Sequence, residues 1–184
     1  MKRDIALILC AILICLSLAA CGEEKLPEID SGRVWDPVFF EDDSDYEDAF
    51  FAVTVPSLDN AKIEQKEDGF VYINGEQLIG GKGLGCNGLY LEDLTGDGRP
   101  EICLVKAWGS GIVDNSVIIL EYPTKKCLFS LSDRGDHDYH LFWLDGKLHV
   151  METEYTKTQM LRHGSFTYDG EKLSVVWNES SPAD

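Results

Sequence analysis

Basic residues are scarce in this chain: 16 Lys and Arg stand against 33 Asp and Glu in 184 residues, a formal net charge of −17. Such a field repels polyanions, which excludes nucleic acid and anionic lipid surfaces as natural partners and favours divalent cations or basic ligands. Catalytic patterns are missing too, with no H-E-x-x-H, no S-x-x-K and no G-x-S-x-G. A catalytic centre would therefore have to be assembled by the fold from scattered residues. Helical periodicity is almost absent, and its one weak claim falls near Leu58–Lys66. Long uncharged runs are lacking as well, apart from one at the amino terminus.

That run, IALILCAILICLSL, covers Ile5 to Leu18 behind Lys2 and Arg3. Fourteen residues are too few to span a bilayer comfortably, so residues 1–20 read as a signal peptide. Leu18-Ala19-Ala20-Cys21 resembles the bacterial lipobox, which implies cleavage before Cys21 and acylation of its thiol. Two acyl chains, at about 0.8 kcal/mol per buried methylene, hold a protein at a membrane stably. The expected location is the extracytoplasmic face of the cell membrane. Losing Lys2, Arg3 and Asp4 leaves 14 basic and 32 acidic residues, a net charge of −18.

The segment that follows Cys21 contains Pro27, Gly32 and several charges without apolar periodicity, so residues 21–33 are expected to be a linker. A single β-rich domain is expected over 34–184, a length that suits one full core. Glu41–Asp48 holds six acids in eight residues and reads as a solvated loop. With Cys21 acylated, Cys86, Cys103 and Cys127 are the thiols left in the mature chain. Buried free thiols are the expected state, and Cys86 and Cys103, which flank an acidic loop, are the pair to test for a disulfide.

From Phe50 onward, short apolar runs alternate with turn signals. Asn74-Gly75, Asp145-Gly146 and Asp169-Gly170 each separate two strand-like halves, and such pairs suit tight turns that need positive φ. These signals predict a mostly β fold of antiparallel hairpins in one domain, arranged as propeller-like blades or as a sandwich. Ile102–Trp108 and Ser116–Tyr122 are apolar on both faces and are expected to be central strands.

Two motifs lack the context that would give them meaning. Gly83, Gly85 and Gly88 satisfy G-x-G-x-x-G, but the pattern needs a helix after it and LYLEDL reads as a strand. Arg134-Gly135-Asp136 matches an adhesion tripeptide at three residues, a length close to chance. If Asp145-Gly146 is a two-residue turn, Phe142 pairs with His149 and His140 with Met151, which puts His140 and His149 diagonally on one face. Zinc there would need a carboxylate as well, from Asp136 or Asp138.

The strongest chemical signal is LEDLTGDGRPEICL, residues 91–104. Asp93, Thr95 and Asp97 put oxygen at alternate positions, the Arg99 carbonyl follows, and Glu101 stands at position nine, with Gly98 for the turn. Oxygen donors at this spacing suit a hard cation such as calcium. Position twelve of an EF-hand would be a bidentate Glu and is Leu104 here, so that reading fails while the spacing survives. The loop resembles those of FG-GAP and VCBS-type repeats, known from integrin-type β-propellers, with Thr95 in place of their usual Asp or Asn. That resemblance implies calcium held by Asp93, Thr95, Asp97, Arg99 and Glu101 and followed by a strand. GCNGLYLEDLTGDGRPEIC with GSGIVDNSVIILEY also resembles a domain of exported Gram-positive proteins, where it sometimes follows membrane metallopeptidases of the β-lactam-sensor type. None of the zinc-binding motif of those peptidases is present. An acidic turn that bonds its own backbone amides without metal is the plain alternative.

Taken together, these features predict a non-catalytic surface lipoprotein whose calcium-braced β domain binds an envelope protein or cell-wall ligand. A competing expectation is an envelope hydrolase using Asp136, His137, His140 and Glu154. The third is an accessory lipoprotein without metal that binds protein through exposed Trp35, Phe39 and Phe40.

Overall fold

Residues 26–35, 51–66, 68–78, 85–108, 114–133, 135–157 and 159–178 are described in a computed structural model, with the Trp108 side chain excepted. The signal segment, Cys21, the Glu41–Asp48 run, Phe39, Phe40, Gly83 and Arg134 lie outside them. Short alternating apolar segments separated by turn residues cannot bury a face alone, and here they pair into three antiparallel sheets. The first contains β2 (Ala52–Val55), β3 (Ala61–Gln65), β4 (Val71–Ile73) and β5 (Glu76–Gln77) in sequential order. A central sheet of five strands follows the order β1 (Gly32–Trp35), β6 (Gly85–Glu92), β7 (Glu101–Trp108), β8 (Asp114–Glu121) and β9 (Lys126–Leu131). The third runs β10 (His137–Leu144), β11 (Lys147–Glu154), β12 (Met160–Tyr168) and β13 (Leu173–Asn178).

Alternation along the central strands sends side chains into two separate cores. Leu89, Leu91, Ile102, Leu104 and Leu120 pack against Val55, Leu58 and Ile63 of the first sheet. Their neighbours Tyr90, Cys103, Val105, Val117 and Ile119 pack against Leu141, Leu148, Val150 and Leu173 of the third. The molecule is thus a three-layered stack of sheets, mostly β, and none of the sheets closes into a barrel. Central strands covered on both faces read as continuous apolar runs, which is why β7 and β8 carry so few charges. The Tyr90 hydroxyl donates to the Leu141 carbonyl at 2.9 Å and pins the second interface.

Turn chemistry accounts for most of the connections. Asn74 (φ 50°) and Gly75 (φ 80°) join Ile73 to Glu76 in a two-residue turn, and Asp145 (φ 51°) with Gly146 (φ 76°) joins Leu144 to Lys147. The third dipeptide departs from the expected tight turn: Tyr168 pairs with Leu173, so the loop has four residues. Asp169 caps it by accepting from the amides of Glu171 at 2.9 Å and Lys172 at 2.7 Å. The helical reading near Leu58–Lys66 is also corrected. Pro56–Leu58 makes one 3-10 turn, and Ala61–Gln65 is β3, because it supplies Ala61 and Ile63 to the core.

A further correction concerns the start of the folded body. Residues 27–33 do not form a free linker: the Thr54 amide donates to the Pro27 carbonyl at 2.8 Å, the Ile29 amide donates to the Thr54 carbonyl at 3.0 Å, and Ile29 packs on the first core. An edge strand exposes unpaired backbone groups, and this segment takes those of β2.

Candidate functional site

The acidic loop spans Asp93 to Pro100 between β6 and β7, two neighbouring strands of the central sheet. Glu92 and Glu101 face each other where the hairpin opens. Asp93 organises the turn from its first position. Its Oδ1 accepts from the amides of Gly96 at 2.7 Å and Asp97 at 3.1 Å, and its Oδ2 from the amide of Gly98 at 2.9 Å. Gly96 and Gly98 hold φ of 76° and 87°, which glycine adopts without strain. Asp97 Oδ1 accepts from the Arg99 amide at 2.8 Å.

Glu101 closes the loop from beneath. Only 3% exposed, it accepts from the Leu94 amide at 2.7 Å and the Thr95 amide at 3.2 Å on Oε2, and from the Thr95 hydroxyl at 3.0 Å on Oε1. Burial pushes its carboxyl above the ordinary glutamate value, and these three donors oppose the shift. Arg99 leaves the loop sideways: its Nη2 lies 2.9 Å from Asp59 Oδ2, and its guanidinium carbon is 6.0 Å from the Tyr122 ring centre. The loop is thereby tied to the first sheet.

Four of the five residues expected to hold calcium therefore lie in the loop and Glu101 opens β7, and their side chains fall in two groups. Asp93 and Asp97 are exposed with Thr95 half-buried between them, whereas Glu101 turns inward and bonds Thr95. The donors are all oxygen, which fits a hard cation by type. Among the described residues no three His, Cys, Asp or Glu side chains converge as a metal centre requires.

Cys86 and Cys103 do not form the possible disulfide and are the buried free thiols expected. Cys86 pairs in register with Lys106 and faces the first core, while Cys103 pairs with Tyr90 and faces the second. Thiols on opposite faces of a sheet cannot bond, and both are free and buried. Burial raises the Cys103 thiol well above its ordinary value, so it is inert.

Of the four residues offered for hydrolysis, Asp136, His137 and Glu154 are neighbours and His140 lies apart from them. His137 and Glu154 are direct cross-strand neighbours, His140 occupies the opposite face, and Asp136 is exposed in the turn before β10. Asp138, offered as a zinc ligand, uses both oxygens on the amides of Asn115 at 2.8 Å and Thr156 at 3.1 Å. Nor is Trp35 an exposed docking aromatic: it is half-buried, with its ring centre 6.0 Å from that of Phe51. Of the glycine-rich stretch, Gly85–Gly88 opens strand β6, so no helix follows it.

Sequence reasoning missed a second polar cluster at one end of the second core. Glu152, 5% exposed, accepts from Arg162 Nε at 3.0 Å and Nη2 at 2.7 Å, and the guanidinium carbon sits 4.3 Å from the Trp177 ring centre. Burial, followed by the Glu152 charge, pushes the Tyr139 hydroxyl up to about 12. Each residue is one polar position in an otherwise ordinary strand, so only the register could have found the group. The cluster secures a buried carboxylate.

His137, His140 and His149 titrate on different sides of the ordinary value of 6.5. A hydrogen bond to Asp133, 2.8 Å from Nδ1, raises His137, whereas burial lowers His140 and His149. Proton NMR should therefore place the His137 midpoint above 6.5 and those of His140 and His149 below it. The sign for stability follows by linkage. His140 and His149 contribute stability that is lost as pH falls below 6.5 toward their folded values, and His137 contributes stability that is lost as pH rises above 6.5 through its own.

No family model, curated protein or solved structure matches this chain.

Proposed function

We propose that this chain is a non-catalytic, lipid-anchored protein of the extracytoplasmic membrane face, whose β domain is braced by calcium at Asp93–Glu101 and binds a partner or ligand of the envelope. The observation that carries the reading is the loop itself, which bridges two central strands and holds the Asp93 and Asp97 carboxylates beside glycines of positive φ. Asp93, Asp97 and the Arg99 carbonyl are the ligands assigned to the ion, with Thr95 and Glu101 supporting them from below. Bound there, calcium would neutralise part of the acidic charge and order the loop. The partner surface is assigned to the third sheet, because Leu144, Met160, Tyr168 and Val176, the large apolar side chains most exposed among the described residues, all belong to it.

A second reading, a loop braced by hydrogen bonds alone, is favoured by the three donors that Asp93 and Glu101 each already accept. Thermal unfolding with and without a calcium chelator separates the two. Extracellular modules bind calcium at about 0.1–1 mM, and tenfold excess over that constant stabilises by about 1.4 kcal/mol. Calcium is expected to raise the melting temperature, and Asp97→Ala to abolish the response. A melt indifferent to calcium selects the second reading.

A further inference from the structure

The outer face of the third sheet presents donors of a different chemistry. Alternation brings His140 and Phe142 of β10, His149 and Met151 of β11, and His163 and Ser165 of β12 to one side. Register sets His140, Met151 and His163 in one row across three strands, and directly opposed residues have Cβ atoms about 4.5–5.5 Å apart. His149 stands two residues before Met151 on the same face.

The ring centres of His149 and His163 are 5.7 Å apart. A metal–imidazole bond of about 2 Å puts each ring centre roughly 3 Å from the ion, so two imidazoles at a trigonal angle have centres about 5.5 Å apart. The observed spacing matches that requirement. Phe142 lies 5.7 Å from His149 and 6.0 Å from His163, forming an apolar wall against both rings. Nδ1 of His163 sits 3.3 Å from the side-chain nitrogen of Asn178, which leaves Nε2 as the nitrogen turned from β13.

We infer that His149, His163 and Met151 form a site for a soft d10 metal ion, copper(I) first among them. Thioether sulfur selects soft ions and imidazole accepts copper readily; Asp145, in the exposed turn before β11, acts on His149 through its charge. This site and the all-oxygen loop thus divide cations by hardness, and neither depends on the other.

Full-length protein with its accessible thiols alkylated, which silences the exposed Cys127, should be titrated with copper(I) against a chromophoric chelator. One equivalent is expected to bind. His149→Ala and His163→Ala should each weaken binding roughly tenfold or more and Met151→Leu about threefold or more, since each removes one of three ligands; Asp97→Ala should leave it unchanged. Absence of uptake, retention of affinity in either histidine variant, or an unaltered Met151→Leu variant overturns the assignment. Should an alanine variant fail to fold, silver(I) added to the wild type decides: the ring proton signals of His149 and His163 must both shift, and unmoved signals overturn the site.

Discussion

Glu101→Ala is expected to lower the unfolding free energy by about 2–4 kcal/mol, more than any other single substitution in the acidic loop. The side chain is buried and accepts from the Leu94 amide, the Thr95 amide and the Thr95 hydroxyl. Hydrogen bonds to a charged group contribute about 1.5–3 kcal/mol, and orphaned buried donors cost about 1–3 kcal/mol each. Leu94 and Thr95 are half-buried, so water recovers part of that loss. Glu101→Gln should fall between, since its amide keeps one acceptor but turns an NH2 toward donors. Urea unfolding at constant slope measures the difference. An unchanged midpoint would show that the loop does not close through Glu101.

The same residue sets a pH dependence of defined sign. A carboxyl whose folded pKa is raised binds its proton more tightly in the native state. Its contribution to stability therefore falls as pH rises from the ordinary glutamate value through the folded one. Glu101→Gln should remove that slope between the two values.

Leu104→Ala and Leu141→Ala are each expected to cost about 2–5 kcal/mol, the range for deleting a fully buried leucine. Leu104 is 1% exposed in the first core, and Leu141 is 0% exposed in the second. Because the two cores share no side chain across the central sheet, the double variant should lose the sum to within about 0.5 kcal/mol. Strong non-additivity would contradict a central sheet buried on both faces. Val176→Ala, at 54% exposure, serves as the contrast and should change stability by less than about 0.5 kcal/mol.

Much of the architecture was legible before any coordinates. Doubly apolar runs announced β7 and β8, and Asn74-Gly75 and Asp145-Gly146 announced two hairpins with the register of the second, Phe142 opposite His149. Asp169-Gly170 misled because the Asp169 side chain supplies a second way to close a turn, capping a four-residue loop. Leu58–Lys66 misled because tertiary burial of Ala61 and Ile63 overrides weak local preference. The extent of the docked segment was hidden as well, since pairing between residues 27–30 and β2 is a long-range choice.

Sequence by itself determined the acidic charge, the strand-forming alternation, the turn dipeptides and the oxygen-rich composition of the 93–101 loop. These are local properties, written in residue types and short spacings. Only the tertiary structure decided that Cys86 and Cys103 face different cores, that Glu101 turns inward to Thr95, and that His149 meets His163 from another strand. Which face a side chain occupies follows from a period of two, so one bulge or register step reverses it. Which strands become neighbours depends on burying both faces of the central sheet at once.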